Sequence, residues 1–166
     1  MLSRKRAPEA AGGQGGSASA HAAAVSLLAR RDYASGELTA KLRERGFPAA
    51  EIAQALAELS ERRLLDDERY AGNYLSYHSA RGQGPERIRR DLAAAGVASD
   101  LISAALAAGP DWVALARKVR ATRFGSELPV AWREKAQQSR FLHYRGFSAD
   151  HIRSAFGPDF DPDSCL

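Results

Sequence analysis

One five-position pattern occurs three times in this chain at a spacing of 50 residues. Leu42-x3-Gly46-Phe47-x4-Ile52-x3-Leu56 returns as Leu92-x3-Gly96-Val97-x4-Ile102-x3-Leu106 and again as Leu142-x3-Gly146-Phe147-x4-Ile152-x3-Phe156. Apolar residues and a glycine held in a fixed register over three copies define a tandem array of one supersecondary unit. A fold without internal repetition is hard to reconcile with that spacing.

The unit reads as helix, glycine, helix. Leu38 and Leu42, or Ile88 and Leu92, lie four residues apart and give the first helix an apolar stripe. Gly46, Gly96 and Gly146 then fall where a left-handed C-cap favours glycine, and the next residue (Phe47, Val97 or Phe147) packs back on the helix just ended. Ala98-Ser99-Asp100 and Ser148-Ala149-Asp150 offer N-cap chemistry to the following helix. Its stripe is Ile52/Leu56, Ile102/Leu106 or Ile152/Phe156. A further helix precedes each pair, over about His21–Arg31, Asp67–Ala80 and Pro110–Phe124. Composition agrees: the chain has 33 Ala, against 11 Val, Ile and Thr together, so helix is favoured over strand throughout.

We therefore expect an all-α protein of three tandem three-helix, helix-turn-helix-like repeats in a curved, elongated array. The repeats cover 21–66, 67–109 and 110–157, after a disordered basic, Gly/Ala-rich leader over 1–20 and before a disordered acidic tail over 158–166. Each unit is too small to bury much core alone, so neighbours must stack.

Several functions are disfavoured. Cys165 is the one cysteine, which leaves no disulfide framework and no thiolate zinc site. No apolar run approaches the roughly 20 residues that span a bilayer. Gly12-Gly13-Gln14-Gly15-Gly16-Ser17 after Arg4-Lys5-Arg6 is unlike a signal peptide, so a cytoplasmic protein is expected. His21, His78, His143 and His151 share no metal-ligand spacing, and His143 and His151 read as solvated helix positions. Asp66-Asp67-Glu68 reads as a helix N-terminus, where acidic groups meet the macrodipole, and Gly82-Gln83-Gly84-Pro85 lacks the Gly-Lys-Ser/Thr of a phosphate loop. No nucleophile has a base in context, so we expect neither an enzyme nor a bound cofactor or metal.

The net charge of +4 is unevenly distributed. Residues 22–67 carry −1, 68–110 carry +1 and 111–157 carry +5, while the leader adds +2 and the tail −3. Arg133, Gln137, Arg140 and Tyr144 form one stripe at helical spacing. Arg117, Arg120 and Arg123 recur every third residue with Lys118 beside them, and Arg81 precedes a glycine-rich break that Arg87 and Arg90 follow. Arginine with interleaved tyrosine suits phosphates, bases or an acidic protein groove.

Two stretches resemble a known family. Leu65-Asp66-Asp67-Glu68-Arg69-Tyr70-Ala71, followed by Arg81-Gly82-x-Gly84-Pro85-x-Arg87-Ile88-x2-Asp91-Leu92-x3-Gly96-Val97, looks like the central motif of the RecX regulatory proteins. Lys135-x4-Arg140-Phe141-Leu142-x-Tyr144-Arg145-Gly146-Phe147-Ser148-x2-His151-Ile152 resembles that family's third-repeat signature. The resemblance covers about residues 22–157, and the leader and acidic tail depart from it. It implies a bacterial modulator that binds the groove of the RecA–single-stranded DNA filament and restrains strand exchange, ATP hydrolysis and co-protease activity. By this similarity Arg81, Arg87, Arg90, Arg117, Arg120, Arg123, Arg133, Arg140, Tyr144 and Arg145 are the candidates for contact with the filament or its DNA. Weak affinity for duplex DNA and a monomeric state are expected as well.

Two other classes fit parts of the pattern. A helix-turn-helix repressor would share the helix–glycine–helix units, but no unit carries a helix dense in base-reading side chains. A protein-only helical-repeat adaptor would leave the basic stripe incidental.

Overall fold

The computed structural model describes residues 19–157 and 160. Among them are nine helices: α1 (Ala20–Leu28), α2 (Ser35–Glu44), α3 (Ala49–Glu61), α4 (Asp67–Ala80), α5 (Pro85–Ala94), α6 (Ser99–Ala107), α7 (Trp112–Phe124), α8 (Trp132–Tyr144) and α9 (Ala149–Phe156). No strand occurs among the described residues. The helices pack in consecutive triplets, and in each the third helix lies broadly against the first.

Each triplet encloses its own core. Leu38, Leu42, Ile52 and Leu59 centre the first. Ile88, Leu92, Ile102 and Leu106 centre the second, and Leu142, Phe147, Ile152 and Phe156 the third. The marker leucines Leu42, Leu92 and Leu142 are fully buried, at the point where three helices converge.

The corner between the second and third helices has the same backbone in all three copies. Gly46, Gly96 and Gly146 have φ of 85°, 82° and 92°. The amide of the residue after the glycine donates to the marker leucine: Phe47 to Leu42 at 3.3 Å, Val97 to Leu92 at 3.1 Å and Phe147 to Leu142 at 3.1 Å. The glycine amides donate to Arg43, Ala93 and His143 at 2.9, 3.0 and 2.9 Å. These paired bonds define a Schellman end, which needs the left-handed residue that glycine supplies without a Cβ penalty.

The corners also join the units. At the first junction Ser35 starts α2, and its amide and hydroxyl both donate to the Asp67 carboxylate, at 2.8 and 2.5 Å. Gly36 lies against Ala95 and Gly96. At the second junction the Gly84 amide donates to the Arg145 carbonyl at 2.8 Å and the Glu86 amide to the Gly146 carbonyl at 2.9 Å. Both times the start of one unit's middle helix enters the glycine corner of the next unit. At the two ends the arrangement stops: space around Gly46 is open, and α8 begins three residues earlier in register than α2 or α5.

Local departures from the sequence reading have specific causes. Ser19 and Ala20, expected in the leader, belong to the first unit: the Ser19 hydroxyl caps α1, and the Ala20 amide donates to Glu51 Oε1 at 2.7 Å. The remainder of the leader, and the tail apart from Phe160, lie outside the described residues. α1 stops at Leu28, and α7 starts at Trp112 because Asp111 sits at the N-cap, accepting from the amides of Val113 and Ala114. α6 is preceded by Ala98 and has no side-chain cap, so the expectation from Ala98-Ser99-Asp100 fails. Ser148 does cap α9, and His151, expected on a solvated face, completes a capping box with it. Asp66 caps α4 as expected of an acidic N-terminus, accepting from the Arg69 amide at 2.9 Å.

Candidate functional site

A cleft of about 400 Å³ opens where the C-terminus of α4 meets α7 and α8. From α7, Leu115, Lys118, Val119, Thr122 and Arg123 reach it, because spacings of three and four place them on one helical face. Phe141 comes from the last turn of α8, and Arg145 is the residue that caps it. Arg81 and Gly82 come from the turn that ends α4. A Cβ at Gly82 would sit 2.8 Å from Val119 Cγ2, and its φ is 75°, so both packing and backbone call for glycine there.

The cleft has two chemistries. Leu115, Val119 and Phe141 make an apolar floor, and Arg81, Lys118, Arg123 and Arg145 make a cationic rim. No carboxylate lines it, and among the described residues none of these four cations is in an ion pair. Arg145 is held in place by donating from Nη1 to the Arg81 carbonyl at 3.2 Å, with its guanidinium 5.2 Å from the Phe141 ring centre. Cations gathered without counter-charges form a local positive potential that favours an anionic partner.

An aromatic column on α4 leads to this rim. Tyr70 stacks on Tyr74 at 6.1 Å and Tyr74 on His78 at 3.9 Å, while Tyr77 meets His78 edge-on at 5.1 Å. The Arg81 guanidinium covers the Tyr77 ring at 4.1 Å. Burial, together with the Asp91 carboxylate that its hydroxyl contacts at 3.2 Å, pushes the Tyr74 phenol up to about 12. Tyr74 is therefore neutral across the physiological range.

Of the residues singled out in the sequence, Arg81, Arg123 and Arg145 converge on the cleft. Lys118, which the sequence placed only beside the arginines, joins them. Arg133, Arg140 and Tyr144 are exposed along α8 but do not line the cleft, and Arg90 is exposed on α5. Arg87 is half-buried beside Gly146 and faces Asp91 at 3.8 Å. Arg117 donates from Nη2 to the Ser154 carbonyl at 2.8 Å, binding α7 to α9.

Arg120 corrects the surface reading. It is only 4% exposed. Its guanidinium donates to the carbonyls of Ser126 and Glu127 at 2.9 and 3.0 Å and to Gln138 Oε1 at 3.2 Å. It pins the α7–α8 connection and has no free surface to offer a partner.

Three tandem three-helix units with a cationic cleft at the second junction define an all-helical repeat protein. The matches with known proteins give that class its family. Residues 20–59, 66–106 and 111–156 match, in order, the first, second and third three-helix domains of RecX. The chain belongs to the RecX family of regulatory proteins. It is 44% identical over 131 residues to the regulatory protein RecX of Ectopseudomonas mendocina, covering 78% of this chain and 87% of that one. Identity to the RecX of Halorhodospira halophila is 43% over 134 residues, covering 80% and 83%. The crystal structure of RecX from Lactobacillus salivarius superposes with a TM-score of 0.71 at 22% identity, over 82% of this chain and 91% of that one, which shows the shared fold.

Proposed function

We propose that this regulator binds the RecA–single-stranded DNA filament and lowers its strand exchange, ATP hydrolysis and co-protease activity, so acting in recombination, repair and the SOS response. The observation that carries this reading is the cleft rim: Arg81, Lys118, Arg123 and Arg145 face one opening with no carboxylate among its lining residues. Such a surface is suited to a polyanionic filament. Membership of a family of regulatory proteins supports a role exerted by binding, without bond-making chemistry. The exposed α8 residues Arg133, Arg140 and Tyr144, with Arg90 on α5, would extend the contact beyond the cleft. The protein would act in the cytoplasm as a monomer.

The test is titration of the protein into an active RecA filament while ATP hydrolysis is followed. We expect the rate to fall at a low molar ratio of protein to recombinase. Arg133→Ala with Arg140→Ala should weaken the inhibition while the melting temperature is retained. A hydrolysis rate that does not respond to the wild-type protein removes the proposal, and full inhibition by the double variant removes α8 from the contact.

A further inference from the structure

We propose that the α4–α7–α8 cleft holds one nucleotide of a single strand, its phosphate on the cationic rim and its unpaired base on the apolar floor. This rests on the filament-binding reading above and says which component of the filament the cleft receives. A cationic rim alone would suit any anion. The floor of Leu115, Val119 and Phe141 narrows the choice, because it calls for an apolar face within a few ångströms of the charge. A nucleotide carries both, and a volume of about 400 Å³ is in the range that encloses a small ligand. Three of the four cations are arginines, whose planar forks match phosphate oxygens in pairs.

The strand must be single. In a duplex the base faces are stacked on their neighbours and cannot turn onto an apolar floor, whereas bases in a single strand are free to lie on side chains. The neighbouring α4 surface continues the same chemistry. Tyr77 is 53% exposed and carries the Arg81 guanidinium over its ring, giving the next base in the strand a flat cationic surface to stack on. The order along the strand is then a base in the cleft, a phosphate on the rim and a base over Tyr77–Arg81.

The test uses the full chain and three fluorescent probes of equal length, about 15 nucleotides: oligo(dT), the same backbone lacking bases, and a duplex. Anisotropy should show oligo(dT) bound at least about tenfold tighter than the abasic strand, since one stacked base supplies about that much and the Tyr77–Arg81 stack adds to it. Lys118→Ala with Arg123→Ala, both exposed positions, should weaken both single strands and reduce the salt dependence by up to about 0.7 in log–log slope, the share of one phosphate. Leu115→Ala should narrow the gap between oligo(dT) and the abasic strand without shifting the salt slope. Equal binding of the two strands by the wild type overturns the base seat. Unaltered oligo(dT) affinity in the Lys118/Arg123 variant overturns the phosphate site. If that variant keeps oligo(dT) but no longer lowers recombinase ATP hydrolysis, the cleft receives a protein carboxylate: the nucleotide proposal falls and the regulator reading stands. If the wild type shows the oligo(dT) behaviour but never affects hydrolysis, the regulator reading falls and the nucleotide site stands.

Discussion

Gly36 and Gly96 meet backbone to backbone across the junction of the first two units: a Cβ on Gly36 would lie 2.6 Å from the Gly96 Cα and 2.7 Å from the Ala95 carbonyl oxygen. No side-chain rotation relieves such an approach, because both atoms belong to the main chain. We predict that Gly36→Ala costs about 2 kcal/mol, in the range of overpacked sites, by pushing α2 out of the Gly96 corner. Gly72→Ala is the control. Gly72 lies within α4 with nothing within 4 Å of a Cβ, so the added methyl should stabilise by about 0.5–1 kcal/mol. Urea denaturation of the two variants checks the opposite signs.

Arg120→Ala should be more damaging than alanine at the neighbouring arginines. It strands the carbonyls of Ser126 and Glu127 and the Gln138 amide oxygen, all of which its guanidinium satisfies. A loss of about 3 kcal/mol is expected for a buried charged donor with several acceptors. Arg123→Ala, on an exposed residue, should cost under about 0.5 kcal/mol. Hydrogen exchange localises the effect: amides over 125–131 should exchange faster in the Arg120 variant alone.

The Arg117, Arg120, Arg123 series shows where the sequence stops being informative. A spacing of three lags the helical turn by about 60° per step, so the outer two residues diverge by about 120°. Arg117 accordingly turns to α9, Arg123 to the cleft, and Arg120 to the interior on the side of Ala116. The repeat itself was legible, because a Schellman corner depends on glycine and an apolar residue five positions after the marker leucine, all local in sequence. The junctions were not. Gly36 meets Gly96 only after two units have stacked, and Arg145 reaches the Arg81 carbonyl across 64 residues. Charge counting found the basic third unit, but the cleft also depends on Arg81 of the second unit, which only tertiary packing unites with it.

Arg63 is the one residue other than glycine with positive φ among the described residues, at 54°. It ends α3, where Leu64 and Leu65 both donate to the Leu59 carbonyl. A left-handed conformation costs a β-carbon-bearing residue about 1 kcal/mol, offset in part by the greater chain entropy of an unfolded glycine. Arg63→Gly should therefore stabilise by about 0.5 kcal/mol, seen as a higher urea midpoint at unchanged slope. A lower midpoint would mean that the exposed Arg63 side chain contributes more than its backbone strain costs.

His151 makes the third unit sensitive to acid. Its Nδ1 accepts from the Ser148 amide at 3.3 Å and lies 2.9 Å from the Ser148 hydroxyl, closing the α9 capping box. Burial lowers the imidazole below its ordinary value, against the opposing pull of Glu86, Asp150 and Asp111. The native state thus binds the proton less readily than the unfolded chain. Its contribution is intact above the unfolded value of about 6.5 and is lost as the pH falls from there toward the depressed native value. Protonation at Nδ1 would also remove the acceptor that Ser148 uses. Gln is the usual partner at this position of a capping box and does not titrate. His151→Gln should therefore keep α9 capped while losing less stability than the wild type between about pH 7.5 and about pH 5.5. Thermal melts of the two proteins across that interval decide it, and parallel losses would show that His151 contributes no acid sensitivity.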